Sequence, residues 1–176
     1  MARLARVPHI GLPLLILTAL AAAPAHLPAQ TPAPAGPQEA GVVGLFLDSK
    51  SLQPTVVLQG KRDRKMFGMA IGAAEATGIV YPLENRVPPR PLTHDLFLTL
   101  FGRLKVTVTR VVITDLKDGI YYATVVLDAG GKEMQLDARP SDAIALAIRA
   151  KVPVLVEDRV FDKTELLPGP PPARRI

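Results

Sequence analysis

Residues 105–150 read KVTVTRVVITDLKDGIYYATVVLDAGGKEMQLDARPSDAIALAIRA, and this stretch decides the fold. Lys105–Asp115 is dense in Val, Thr and Ile, side chains that suit a pleated, half-buried surface. Asp118-Gly119 follows as a two-residue hairpin signal, because both central positions of a type I′ turn need positive φ. Ile120–Leu127 is the returning strand. Gly130-Gly131 is a second turn, after which Met134 and Leu136 alternate with Glu133, Gln135 and Asp137. These three strands make an antiparallel meander. Pro140 then opens a helix that runs to Ala150. Proline suits the first helical position, where its missing N–H would have had no partner. Ser141 and Asp142 sit at the positive end of the helix dipole, and Arg149 and Lys151 at the negative end. The middle, AIALAI, is apolar nearly all round, which predicts a buried helix.

Working outward, residues 93–104 (THDLFLTLFGRL) predict a second main helix. Leu96, Phe97, Leu100, Phe101 and Leu104 share one apolar face, Thr93 is placed as its N-cap, and Asp95 lies in its first turn. Val42–Leu47, Thr55–Gln59 and Met66–Ile71 read as further strands, with a charged loop KRDRK at 61–65. Residues 73–81 suit a short helix, and Pro82 together with Pro88-Pro89-Arg90-Pro91 marks a loop. Val152–Val156 is a last strand whose Pro153 predicts an edge position. Glu157–Glu165 suits one or two helical turns. With no regular βαβ alternation, the class is α+β: an antiparallel meander sheet with two main helices in a single domain.

The ends of the chain read differently. Residues 1–25 carry Arg3 and Arg6, an apolar run from Leu12 to Ala23, and Ala23-Pro24-Ala25, the pattern of an export signal peptide. The alternative is an uncleaved anchor. The run is shorter than the roughly 20 residues that cross a bilayer, so no stable span is expected after cleavage. Residues 26–40 are a Pro/Ala-rich linker, 41–166 the domain, and 167–176 a Pro-rich disordered tail. The expected destination is periplasmic or extracellular. The formal net charge of +5 hints at an acidic partner, but four arginines lie in the ends. Residues 41–166 hold 17 basic and 15 acidic side chains, so the whole-chain charge is weak support for nucleic acid. Cysteine is absent, which excludes disulfides, thiolate nucleophiles and thiolate-bound metals.

Two blocks could carry chemistry. In Arg90-Pro91-Leu92-Thr93-His94-Asp95, a basic residue precedes a helix start bearing the domain's one histidine. Asp137-Ala138-Arg139-Pro140-Ser141-Asp142 has the same grammar. Helix N-termini favour anions such as phosphate, and histidine is suited to proton transfer. Asp137 and Asp142 could share a divalent cation such as magnesium. The competing reading makes both blocks caps and ion pairs, and Glu75 a structural partner for Arg90 or Arg139. The run 61–65 has a solvated loop as its ordinary reading.

At these residues the chain resembles the bifunctional nuclease domain family. The matching pieces are PTVVLQG at 54–60, Ile71 with Glu75-Ala76, RPLTHDLF at 90–97, DLKDGIYYATVVL at 115–127 and, most specific, LDARPSDAIALAIR at 136–149. The resemblance implies an α+β domain that forms a homodimer and cleaves DNA and/or RNA. On that reading the protein is an exported nuclease. His94 is general base or acid, Asp95 orients it, and Asp142 is a third catalytic residue. Arg90, Thr93, Arg139 and Ser141 bind phosphate, and Asp137 and Asp142 hold the cation. The alternative is a non-enzymatic oligomeric binding module of the cell envelope.

Overall fold

The computed structural model describes residues 36–48 and 51–169. The expected signal segment, most of the expected linker and all but the start of the C-terminal tail lie outside the described residues. The chain runs β1 (Gln38–Leu47), β2 (Pro54–Gly60), β3 (Met66–Ala70), α1 (Ala73–Leu83), α2 (Thr93–Arg103), β4 (Val106–Lys117), β5 (Ile120–Ala129), β6 (Lys132–Ala138), α3 (Pro140–Ala150), β7 (Val154–Val156), α4 (Asp158–Lys163) and β8 (Leu166–Leu167). The eight strands form one open sheet in the order β6-β5-β4-β7-β1-β2-β3-β8. Every neighbouring pair is antiparallel except β4 with β7. The class is α+β as read, and the meander β4-β5-β6 forms one end of the sheet. Its turns use positive φ at Asp118 (50°), Gly119 (76°), Gly130 (68°) and Gly131 (87°), as the Asp-Gly and Gly-Gly pairs required.

Alternation along the strands supplies the core. Leu58, Val111, Ile113 and Val156 are fully buried on the sheet, against Ile79 of α1 and Ile144 of α3. Helix α3 is central and touches α1, α2, β4 and β5. It therefore buries Ala143, Ile144, Ala145, Leu146 and Ala147, which explains why its sequence is apolar all round. It ends at Lys151, whose φ of 55° forms a left-handed cap.

Five expectations need correction. Strand β1 starts at Gln38, so residues 38–40, read as the end of the linker, are part of the sheet; Gln38 and Ala40 are buried. Strand β7 is interior, not an edge. Pro153 precedes the strand, so its missing N–H removes no ladder bond, and its carbonyl accepts from Val111 N–H at 3.1 Å. Pro82 lies inside α1 rather than in a loop. Thr93 is the first helical residue of α2, and Leu92 holds the N-cap position. Finally, of the apolar face of α2 only Phe101 packs against the core. Leu96, Leu100 and Leu104 are exposed, whereas His94, Leu98 and Phe101 turn inward. That inner stripe also has helical spacing (i, i+4, i+7), but its first member is polar and hid it from a hydrophobicity count.

Candidate active site

Helices α1, α2 and α3 share one device. Each carries a carboxylate at its third residue: Glu75, Asp95 and Asp142. A carboxylate there complements unpaired N–H groups and the helix dipole. Asp95 does so directly, because its Oδ2 accepts from the Leu92 N–H at 2.8 Å. Glu75 folds back over Gly72, where a Cβ would lie 2.2 Å from its Oε2. Asp142 turns its oxygens to side chains of two other positions.

Those contacts build a chain of polar groups. His94 Nε2 lies 3.1 Å from Asp142 Oδ1. Arg139 Nε donates to Asp142 Oδ2 at 2.8 Å, and its Nη2 to Oδ1 at 3.3 Å. Arg139 Nη1 donates to Glu75 Oε1 at 2.8 Å, so one guanidinium joins the starts of α1 and α3. The Arg139 side chain is nonetheless 66% exposed. Burial pushes the Asp142 carboxyl up, but hydrogen bonds from Arg139 and His94 outweigh it and hold the group below the usual carboxylate range. The Glu75 carboxyl is lowered by its own backbone N–H and by Arg139. Bonds from Asp142 and Glu75 raise Arg139 in turn.

His94 Nε2 faces an ionised carboxylate, which only accepts, so that nitrogen carries its proton. The other ring nitrogen, Nδ1, is buried and has no hydrogen-bond partner among the described residues. It lies against Gly78, where a Cβ would sit 3.1 Å from Nδ1 and 2.8 Å from Cε1. The nitrogen that could accept a proton is thus packed against α1, away from the cleft. Nε2 is the ring nitrogen placed to donate to Asp142.

The Asp95 carboxylate bonds elsewhere than to His94. It pairs with Arg149, whose Nε donates to Asp95 Oδ1 at 2.8 Å. Burial raises the Asp95 carboxyl, but the Leu92 N–H and Arg149 bring it below its ordinary value. Arg149 is only 8% exposed, and its Nη1 also donates to the carbonyls of Gly78 (2.5 Å) and Ala145 (3.0 Å). The Gly78 carbonyl is the one that residue 82 would bond in a regular helix, and Pro82 has no N–H to give it. Arg149 supplies the missing donor, which is why proline is tolerated inside α1. One buried guanidinium thereby ties together α1, α2 and α3 beneath His94. Sequence reasoning missed this residue, reading it as a charge complementing the helix dipole. The signal available was a proline near the end of a helical segment, with an unpartnered carbonyl four residues before it.

An open cleft of about 640 Å³ lies over these groups. Its polar wall holds Glu75, Thr93, His94, Asp137, Arg139 and Asp142. Phe97, Phe101, Val125, Leu136 and Leu146 form the apolar wall. Of the residues singled out from sequence, Arg90, Asp95 and Ser141 are not among the lining. Arg90 is exposed and makes no hydrogen bond or ion pair among the described residues, and Ser141 is buried. The donor set does not fit the expected cation. Both Asp142 oxygens are taken by cationic or N–H donors, and no three His, Asp or Glu side chains cluster as a metal site among the described residues. The 61–65 run is largely neutralised, with Lys61 paired to Glu39, Arg62 to Asp158 and Lys65 to Asp63. No described helix is long and apolar enough to cross a membrane.

The comparison with known proteins points one way. A model of the bifunctional nuclease domain matches residues 56–168. An uncharacterized protein of Mycobacterium tuberculosis is 36% identical over 129 residues, covering 73% of this chain and 77% of its own length. Bifunctional nuclease 1 of Oryza sativa subsp. japonica is 36% identical over 81 residues, 44% of this chain and 24% of the rice protein.

Proposed function

The chain belongs to the bifunctional nuclease domain family, and from that premise we propose that it is an exported nuclease hydrolysing phosphodiester bonds of DNA and/or RNA. The observation that carries the reading is the meeting of three helix N-termini on one open cleft, with the exposed Arg139 guanidinium on its wall. Asp142, held by His94, and Glu75 fix that guanidinium, so its remaining N–H groups are preorganised for phosphoryl oxygens. Asp137 lines the same cleft and makes no side-chain hydrogen bond or ion pair among the described residues. It is the carboxylate free to take the proton of an attacking water. The water oxygen bonds to phosphorus as the ester P–O bond breaks, and the departing oxygen takes a proton from solvent in the open cleft. Export rests on the sequence of residues 1–25, which favours a periplasmic or extracellular location.

Cleavage of a labelled oligonucleotide by the purified full chain tests this, beside Arg139→Gln and Asp137→Asn. Loss of at least about 100-fold is expected for each, the usual scale for a charge-stabilising or proton-transfer group. Equal rates in all three proteins would rule out the assignment.

A second observation favours assembly. The outer stripe of α2 leaves Leu96 65% and Leu104 62% exposed, with Leu100 between them. Such a face is suited to a homodimer. Leu100→Glu should give a monomer by sedimentation with unchanged melting of the fold. If Arg139→Gln instead dissociates the dimer while leaving cleavage intact, the non-enzymatic module is the better reading.

A further inference from the structure

The cleft has the wrong charge balance for a site that holds nucleic acid by its backbone alone. Glu75, Asp137 and Asp142 face it against the single guanidinium of Arg139. Binding through phosphate neutralisation needs a surplus of basic groups, and here carboxylates outnumber them. The apolar part of the lining offers something else. Phe97 is 46% exposed, unusual for a phenylalanine, and its ring stands 6.1 Å from that of Phe101 at a 47° tilt. Both rings line the cleft together with the half-exposed Leu136, as does Arg139. An aromatic face and one preorganised guanidinium match the base and the phosphate of a nucleotide. The base stacks on Phe97 and its phosphate meets Arg139, which leaves Asp137 to the attacking water.

We infer that the cleft seats one unpaired nucleotide by its base, so that the substrate is single-stranded nucleic acid or an unpaired stretch of a duplex. This deepens the nuclease reading and rests on it for the catalytic consequence, though not for binding. A paired base cannot take part, because both its faces are stacked within the helix. The cleft volume of about 640 Å³ falls within the range of small-ligand pockets and suits a single nucleotide.

The test is calorimetric titration of the full chain with adenosine 5′-monophosphate and with ribose 5-phosphate, in wild type and Phe97→Ala. Phe97 is half-exposed, so its removal leaves the core intact; unchanged thermal melting checks this. The expected result is binding of the nucleotide at least tenfold tighter than of the sugar phosphate, with Phe97→Ala removing most of that preference. Nucleotide binding should also weaken little between 50 and 200 mM salt. Equal affinity for the two compounds, or a preference untouched by Phe97→Ala, overturns the inference. So does a cleft closed by a second copy, seen as no nucleotide binding by the dimer and monomer formation on Phe97→Ala. A parallel assay compares cleavage of a single-stranded oligonucleotide with that of a hairpin of the same bases. Nucleotide binding that follows Phe97 with neither strand cut upholds this inference and removes only the hydrolase reading. Cutting of both substrates at equal rates, with no Phe97 dependence, removes only this inference.

Discussion

Replacing Pro82 by alanine gives α1 back one backbone N–H, and the structure says where it goes. The Gly78 carbonyl, four residues earlier, is held by Arg149 Nη1 at 2.5 Å. In the wild-type background the new N–H reaches an acceptor that already has a partner, so its gain is limited to helix propensity near a helix end. In an Arg149→Met background the same carbonyl is left unsatisfied, and the new N–H restores a full hydrogen bond, worth about 1 kcal/mol. Arg149→Met alone removes a buried guanidinium from three acceptors and leaves Asp95 with only the Leu92 N–H. That should cost about 2–4 kcal/mol, less than a fully buried pair because Asp95 is partly exposed. Urea denaturation of wild type, the two single variants and the double variant gives the cycle. The expected outcome is that Pro82→Ala stabilises the Arg149→Met protein about 1 kcal/mol more than it stabilises wild type. A gain equal in both backgrounds would refute the idea that Arg149 substitutes for the proline's missing donor.

The acid end of the stability curve should be governed in part by Asp115. Hydrogen bonding from Lys163 at 2.5 Å, the Leu116 N–H and Lys117 hold its carboxyl at about 2, against an ordinary 3.8. A depressed folded-state value adds stability above pH 4 that disappears as pH falls toward 2. Urea midpoints of Asp115→Asn should therefore change less over that window than those of wild type; parallel slopes would contradict this. Gly78→Ala puts a Cβ 2.8 Å from His94 Cε1, in a spot closed by Ala145. We expect a loss of about 1–3 kcal/mol and a displaced imidazole, visible as a shifted His94 resonance; an unmoved resonance would show that the ring does not rest on Gly78. Because the Asp142 oxygens are engaged, EDTA should leave both melting temperature and cleavage rate unchanged. Activity lost in EDTA and restored by magnesium would show that the carboxylates rearrange around a cation.

Much of the fold was legible before any coordinates. Asp118-Gly119 and Gly130-Gly131 are local statements about φ, and local chemistry does not depend on the rest of the chain. Pro140 with Asp142 two positions on marked the start of α3 for the same reason. The mistakes cluster where a neighbour changes the meaning of a residue. Pro153 reads as an edge signal until β4 is seen taking its carbonyl. Pro82 reads as a helix stop until Arg149 is seen filling the gap. The leucines of α2 share an apolar face, but hydrophobicity counts do not record which stripe has a partner, and the inner stripe begins with a histidine.

The candidate site divides along the same line. From sequence alone came the residue types: a lone histidine, two Arg-Pro helix starts, nearby carboxylates and no cysteine. Their pairings came only with tertiary structure. Asp95 and Asp142 occupy the same third position of their helices, and nothing local distinguishes them. Packing gives Asp95 to the buried Arg149 and Asp142 to His94 and the exposed Arg139. One carboxylate becomes a staple and the other a wall of the cleft. Helix propensity and capping act within a few residues, so the sequence determines where each helix begins. Which charges meet depends on how three helices cross over one sheet, and that is decided by the packing of α3 against its neighbours.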